Sequence, residues 1–230
     1  MNKAILSGLI VINTFCFAAP PNKAFFCTSP GTALYYERHE EGSGELAWKH
    51  TSSIVSSKDI QDGKLEVTFK TDIKSGKMKS PIKEPVSSNV VIYPDGNVEL
   101  DIAQSALLAA KQRFSGFNFT STGGTSILPA SMKTGDKLED IHACVAWGGV
   151  KYTIDYTSRK VLRRETITVP AGTFDCVVVS EHKVEKAPFL KRDRTTLTWY
   201  ALGVGMVRHD TFLPNGEMET SEKLNSIKKN

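Results

Sequence analysis

Between Leu65 and Phe69 the chain alternates strictly, Leu65-Glu66-Val67-Thr68-Phe69, the period-two pattern of a strand with one buried and one wet face. The same signature, carried by β-branched and aromatic residues, recurs along most of the sequence. It predicts strands over 33–39 and 45–55, separated by Glu40-Glu41-Gly42-Ser43-Gly44, and over 65–69 after the turn Asp62-Gly63. Further strands are predicted over 89–93 and 97–100 around Pro94-Asp95-Gly96. Three more, over 137–147, 150–157 and 161–169, are joined by Gly148-Gly149 and Ser158-Arg159. The last third continues with 174–179 after the turn Pro170-Ala171-Gly172, then 195–201, 204–212 and 217–224, with the hairpin signal Asn215-Gly216 before the final strand.

One segment changes period. Residues 101–114 read as a helix with Asp101 as N-cap and a modest apolar stripe of Ile102, Ala106, Ala109 and Phe114 interrupted by Ser105, suited to covering a sheet face or barrel mouth. Residues 72–88, rich in Lys and Ser and holding Pro81 and Pro85, read as an exposed loop, and the Gly/Ser/Thr-rich stretch 115–126 as a flexible one. Roughly eleven short strands and one short helix predict a mainly β protein, a single curved antiparallel sheet or half-barrel; the alternative is a β-sandwich.

The N-terminus alters the picture. Lys3, an apolar run over 4–17 and small residues at Cys16 and Ala18 form a signal peptide over 1–18, cleaved after Ala18. The run is shorter than the roughly 20 residues that span a bilayer, Pro20-Pro21 follow it, and no later transmembrane segment is seen. Phe15 before Cys16 argues against a lipid-modified cysteine. The expectation is therefore a single β domain over 19–230, located in the periplasm or outside the cell. Its net charge of +4 falls by one with Lys3 and is scattered among acids, which excludes nucleic acid as an implied partner. Of the remaining cysteines, Cys27, Cys144 and Cys176, at most one pair can bridge; Cys27 with Cys144 or with Cys176 would tie the N-terminal segment to the sheet.

The run Leu128-Pro129-Ala130-Ser131-Met132-Lys133-Thr134-Gly135-Asp136-Lys137-Leu138 is followed by Glu165-Thr166-Ile167-Thr168-Val169-Pro170-Ala171-Gly172-Thr173-Phe174-Asp175-Cys176. After these comes Trp199-Tyr200-Ala201-Leu202-Gly203-Val204-Gly205-Met206-Val207-Arg208. Together they resemble the TapB-like family of secreted Gram-negative proteins, related to a broader family of envelope domains. The resemblance implies an envelope location and a mostly antiparallel fold, and carries over no catalytic residue.

The residues themselves offer no reaction centre. His39, His50, His142, His182 and His209 have no partner at metal-ligand spacing, Gly203-Val204-Gly205 lacks the third glycine and helix of a phosphate loop, and no nucleophile elbow is present. No catalytic residue, metal or cofactor is assigned. The first expectation is a non-enzymatic binding module whose concave face, lined by Trp147, Tyr152, Phe174, Trp199 and Met206, receives a lipid or glycan ligand. The second is a structural or assembly protein that meets an envelope partner through an edge strand or the loop around Pro81. A hydrolase of unrecognised type is third. The basic run Lys191-Arg192-Asp193-Arg194 reads as an exposed hairpin loop.

Overall fold

The computed structural model describes residues 23–75, 84–113, 117–188 and 190–229. The leader expected at 1–18, the loop around Pro81 and Phe114 lie outside the described residues. The strands are β1 (Thr32–Glu40), β2 (Leu46–Asp59), β3 (Leu65–Ser75), β4 (Val86–Ile92), β5 (Val98–Asp101), β6 (Phe119–Gly123) and β7 (Thr125–Leu128). They continue with β8 (Ile141–Trp147), β9 (Val150–Val169), β10 (Gly172–Ala187), β11 (Leu190–Ala201), β12 (Gly205–Phe212) and β13 (Met218–Lys229). One helix, α1 (Ile102–Arg113), follows β5. Asp101 caps it as its sequence predicts, the carboxylate accepting the backbone N–H of Gln104 at 2.7 Å.

All the strands join one antiparallel sheet in the order β6-β8-β9-β10-β11-β12-β13-β1-β2-β3-β4-β5-β7, curled into a nearly closed barrel. The curved-sheet expectation therefore holds over the sandwich. The two outermost strands, β6 and β7, are consecutive in sequence, separated by Gly124 alone. One short stretch of chain thus pairs with both ends of the sheet, Gly123 opposite Ala143 of β8 and Thr125 opposite Asp101 of β5. The link at Gly124 brings the two ends of the sheet together, while β6 and β7 are each paired on one side only.

That stretch is the one expected to be a flexible loop. Its small polar residues are demanded by close approach: Gly123 (φ +67) would place a Cβ 2.3 Å from the carbonyl oxygen of His142, and Gly124 (φ +86) one 2.6 Å from the backbone nitrogen of Ala103. The Gly124 carbonyl in turn accepts the N–H of Ile102 at 2.9 Å and ties α1 to the seam.

Several other expectations are corrected. The predicted turn at Ser158-Arg159 is a bulge within the unbroken strand β9: Ser158 adopts φ +53, the pairing with β10 slips opposite Glu181, and Arg159 forms a buried ion pair with Glu181 at 2.7 Å. The ends of the predicted loop 72–88 belong to β3 and β4. The strand expected from 137 begins at Ile141, because the preceding chain is held by backbone bonds from Gly135 to Val161 and from Leu138 to Arg159. Lys191-Arg192-Asp193-Arg194 is not a loop; it is paired in β11 against Glu185 and its neighbours in β10.

The main core fills one end of the barrel. Its members include Leu34, Tyr36, Ile54, Val67, Val90, Val177 and Leu224, each less than a tenth exposed. The segment before β1 plugs this end, burying Ala24, Phe25 and Cys27; Gly203 donates its N–H to the Ala24 carbonyl, and Gly205 lies beside the Phe25 and Phe26 backbone. Neither pairing expected for Cys27 is formed: Cys27, Cys144 and Cys176 are all free thiols. A smaller cluster joins Ala103 of the helix to Ala143 and Ile154 of the sheet.

Because closure depends on those two glycines, Gly124→Ala is expected to lose about 2–5 kcal/mol, combining left-handed strain of about 1–2 kcal/mol with forced packing. Gly149→Ala has equally unfavourable φ (+79) but nothing within 4 Å of the new methyl, so it should lose only the strain contribution. Urea unfolding of the two variants beside the parent measures the difference.

Candidate functional site

The register sets inward-facing side chains in rows across the sheet. One row runs Glu181, Thr196, Thr211, Thr220, Glu40, and the next runs Thr198, His209, Glu222, Arg38, Trp48, each residue directly opposite the one before it. A third pair, Tyr200 and Met206, faces the core end with Tyr36 and His50. The inner wall is therefore graded along the strands, apolar where the N-terminal segment plugs the barrel and charged toward the other mouth.

Two cavities follow this gradient. The charged one, about 760 Å³, is lined by Arg38, Trp48, Lys183, Glu185, Arg192, Arg194, Thr196, His209 and Glu219 together with Glu40, Thr211 and Thr220. The apolar one, about 220 Å³, lies among Phe25, Phe26, Leu34, Tyr36, Phe69, Leu128, Tyr200 and Met206. Between them, Glu222 accepts from Arg38 Nη2 at 2.6 Å and meets His50 Nδ1 at 2.6 Å, while His50 stacks on Tyr36 with ring centroids 4.3 Å apart.

The charged side chains are held by one another. Arg194 forms a two-pronged pair with Glu219 at 2.7 and 2.8 Å, and this bond holds the Glu219 carboxyl below its usual range. Lys183 lies 3.3 Å from Glu185, which also accepts the Tyr152 hydroxyl. Burial pushes Glu185 upward, but Lys183 and the Tyr152 hydroxyl outweigh it and the carboxyl ends below its ordinary value. Glu222 shows the same contest more strongly: burial opposes its charge, yet His50 and Arg38 bring it down to about 2. Burial lowers His209 to about 3, helped by the nearby Arg38 and Lys183, so its ring is neutral; Nδ1 lies 2.8 Å from the Thr198 hydroxyl. Arg38 rests over the Trp48 ring at 4.4 Å and fixes the indole at the chamber wall.

The five residues expected on one concave face are not brought together. Met206 lines the apolar cavity, and its carbonyl accepts the Tyr36 hydroxyl at 3.0 Å. Tyr152 packs against Ile154 and the helix, its hydroxyl reaching Glu185. Phe174 packs against the main core. Trp199 faces the opposite side of β11 from Tyr200, buried between Arg208 and Arg163, with Nε1 donating to Glu165 at 2.6 Å. Trp147 stacks on Phe119 at the seam, centroids 5.6 Å apart. Aromatic content alone does not separate wall from outer face, since Trp199 is covered by arginine stems as fully as Tyr36 is by the core.

The residues that do converge, Arg38, Lys183, Arg192 and Arg194, had a legible signal. Arg192, Arg194, Thr196, Thr198 and Tyr200 alternate on one face of a strand, opposite Glu185, Lys183 and Glu181. A hydrolase-like trio also exists, His182 between Asp193 (2.8 Å) and Thr157 (3.3 Å), but His182 and Asp193 are each about two fifths exposed, away from both cavities. Among the described residues no three His, Cys, Asp or Glu side chains are grouped as a metal site.

A barrel-shaped antiparallel sheet with a two-part interior and an N-terminal plug defines the class of protein. The chain belongs to the DUF3108-like family, whose model matches residues 42–224. Two solved structures share the fold. One, from Bacteroides fragilis, is described as exported with a YmcC-like fold; it is 19% identical with a TM-score of 0.70, over 90% of this chain and 99% of that one. The other, from Parabacteroides distasonis, is described as a lipoprotein; it is 19% identical with a TM-score of 0.68, over 89% of this chain and 98% of that one. No functionally curated protein matches the sequence. The family shown is thus DUF3108-like, and the narrower TapB-like resemblance is not confirmed.

The interior charges make stability fall with acid. The unfolded chain protonates its histidine near 6.5 while native His209 resists until about 3, so stability declines across that window by about 1.4 kcal/mol per pH unit. Glu222 adds a second loss, from about 4.5 down to about 2. Urea titrations at successive pH values should show His209→Gln flattening the upper part of the decline. Glu222→Gln should flatten the lower part and, by stranding Arg38, cost about 3 kcal/mol at neutral pH.

Proposed function

We propose that this chain is an exported, non-enzymatic envelope protein that binds a glycan-type ligand in its charged chamber. The observation that carries the reading is the chamber itself. At about 760 Å³ it falls in the range of sites for small organic ligands, and it combines an indole with a wall of hydrogen-bonding groups fixed by their own ion pairs. Sugar rings present apolar faces to an aromatic plane and hydroxyls to such donors and acceptors. Side chains already locked in place lose little entropy when a ligand arrives.

The apolar cavity favours a second reading, a lipid chain beside Phe25 and Met206. Its volume of about 220 Å³ is below the usual range for ligand sites, which places the glycan reading first. Export rests on the leader over 1–18 with cleavage after Ala18, on the motif resemblance to secreted proteins, and on the exported and lipoprotein descriptions of the two structural relatives. The envelope-assembly reading has the outer sides of the short strands β6 and β7 to stand on, and α1 packs near both.

The test is a panel of oligosaccharides titrated calorimetrically into the parent protein, Trp48→Ala and Met206→Phe. Trp48→Ala is expected to weaken binding about tenfold or more, while Met206→Phe, which fills the apolar cavity, leaves it unchanged. Retained binding in Trp48→Ala with loss in Met206→Phe would move the ligand to the lipid reading, and no saccharide bound by any form would overturn the proposal.

A further inference from the structure

The charged chamber has a donor surplus that specifies its ligand further. Every carboxylate within it is engaged: Glu185 by Lys183 and Tyr152, Glu219 by both prongs of Arg194, Glu222 beneath the wall by Arg38 and His50, and Glu40 at the rim by Ser43. The cations are not equally engaged. Arg192, directly opposite Glu185 in the register, makes no hydrogen bond or ion pair among the described residues; Lys183 uses one of its three N–H groups; Arg38 gives Nε and Nη2 to Glu222 and keeps Nη1. Beside them, Thr196 is 1% exposed, and its hydroxyl and that of Thr220 have no partner among the described residues.

A ligand entering this chamber therefore meets open cationic donors and neutral hydroxyls but no open carboxylate. Burial lowers the Lys183 ammonium, and Arg38 and Arg192 add to the effect, so a neighbouring negative charge would relieve the site. Resting on the glycan reading above, we infer that the ligand is an acidic saccharide whose carboxylate sits between Arg192 and Lys183 while its hydroxyls meet Thr196 and Thr220. A planar guanidinium accepts a carboxylate on two parallel bonds, which gives the seat orientation as well as attraction.

The decisive measurement compares a trimer of galacturonic acid with the neutral galactose trimer, titrated into the intact protein. The two differ only in carboxylate against hydroxymethyl at each ring. The acidic trimer is expected to bind at least about tenfold more tightly, and Arg192→Gln to remove that preference, bringing the two trimers to similar affinity. Raising the salt to about 1 M should erode the preference in the parent and leave Arg192→Gln unaffected. Arg192 is exposed, so its replacement leaves the fold intact, and equal unfolding midpoints for the two proteins verify this. Equal affinity for both trimers overturns this inference and leaves the glycan reading standing; a preference that survives in Arg192→Gln also overturns it. Binding of neither trimer overturns this inference, while the wider oligosaccharide panel decides the underlying reading on its own.

Discussion

The structure depends on a closure constraint. A sheet this wide has two edges, and each would present unpaired N–H and C=O groups to any passing strand. Here both edges are occupied by one continuous stretch, β6 and β7, with Gly124 between them. The chain must turn sharply there while passing against the start of α1 and against His142 of β8. Only residues without a Cβ meet both demands, so the approach of the sheet's two ends passes through two adjacent glycines.

Once the ring is closed, the interior must be filled or solvated, and this chain does both. The segment before β1 folds into one end and brings Phe25 against the core, while the other end carries ionised groups that no apolar packing could accommodate. The boundary is the Arg38–Glu222–His50 cluster, where a nearly buried carboxylate stays charged because two partners compensate its lost water. Tyr36, stacked on His50 and bonded to the Met206 carbonyl, belongs to both halves. The side chains of the charged mouth are accordingly held by their own ion pairs.

Much of this architecture was legible in the sequence. Period-two alternation located most of the strands, and the turns at Gly148-Gly149, Pro170-Ala171-Gly172 and Asn215-Gly216 were recognisable from their chemistry. What the local pattern missed had physical causes. At Ser158-Arg159 a polar stretch breaks the alternation, which reads as a turn, but a bulge opposite Glu181 absorbs it. Within 115–126 glycine and serine read as flexibility, although Gly123 and Gly124 answer a steric demand made by His142 and Ala103. The candidate site was harder still, because its wall is charged. Arg192 and Arg194 sit where alternation would place core residues, and the Asp193 embedded among them with Pro188 nearby made the run read as an exposed hairpin loop.

The position of β1 governs how the molecule can assemble. It lies between β2, its neighbour in the chain, and β13, so that Thr32 meets Lys229 across almost the whole length of the domain. The plug ahead of β1 likewise docks on Gly203 and Gly205, which a ribosome makes long after it. The barrel can therefore not be completed until β13 and the turn holding Gly203 have been made, although β1 to β5 pair with one another in order. Contacts so distant along the backbone add a loop-closing entropy and slow the search for the native arrangement. A fold that cannot complete itself early is also one that stays threadable through a narrow channel.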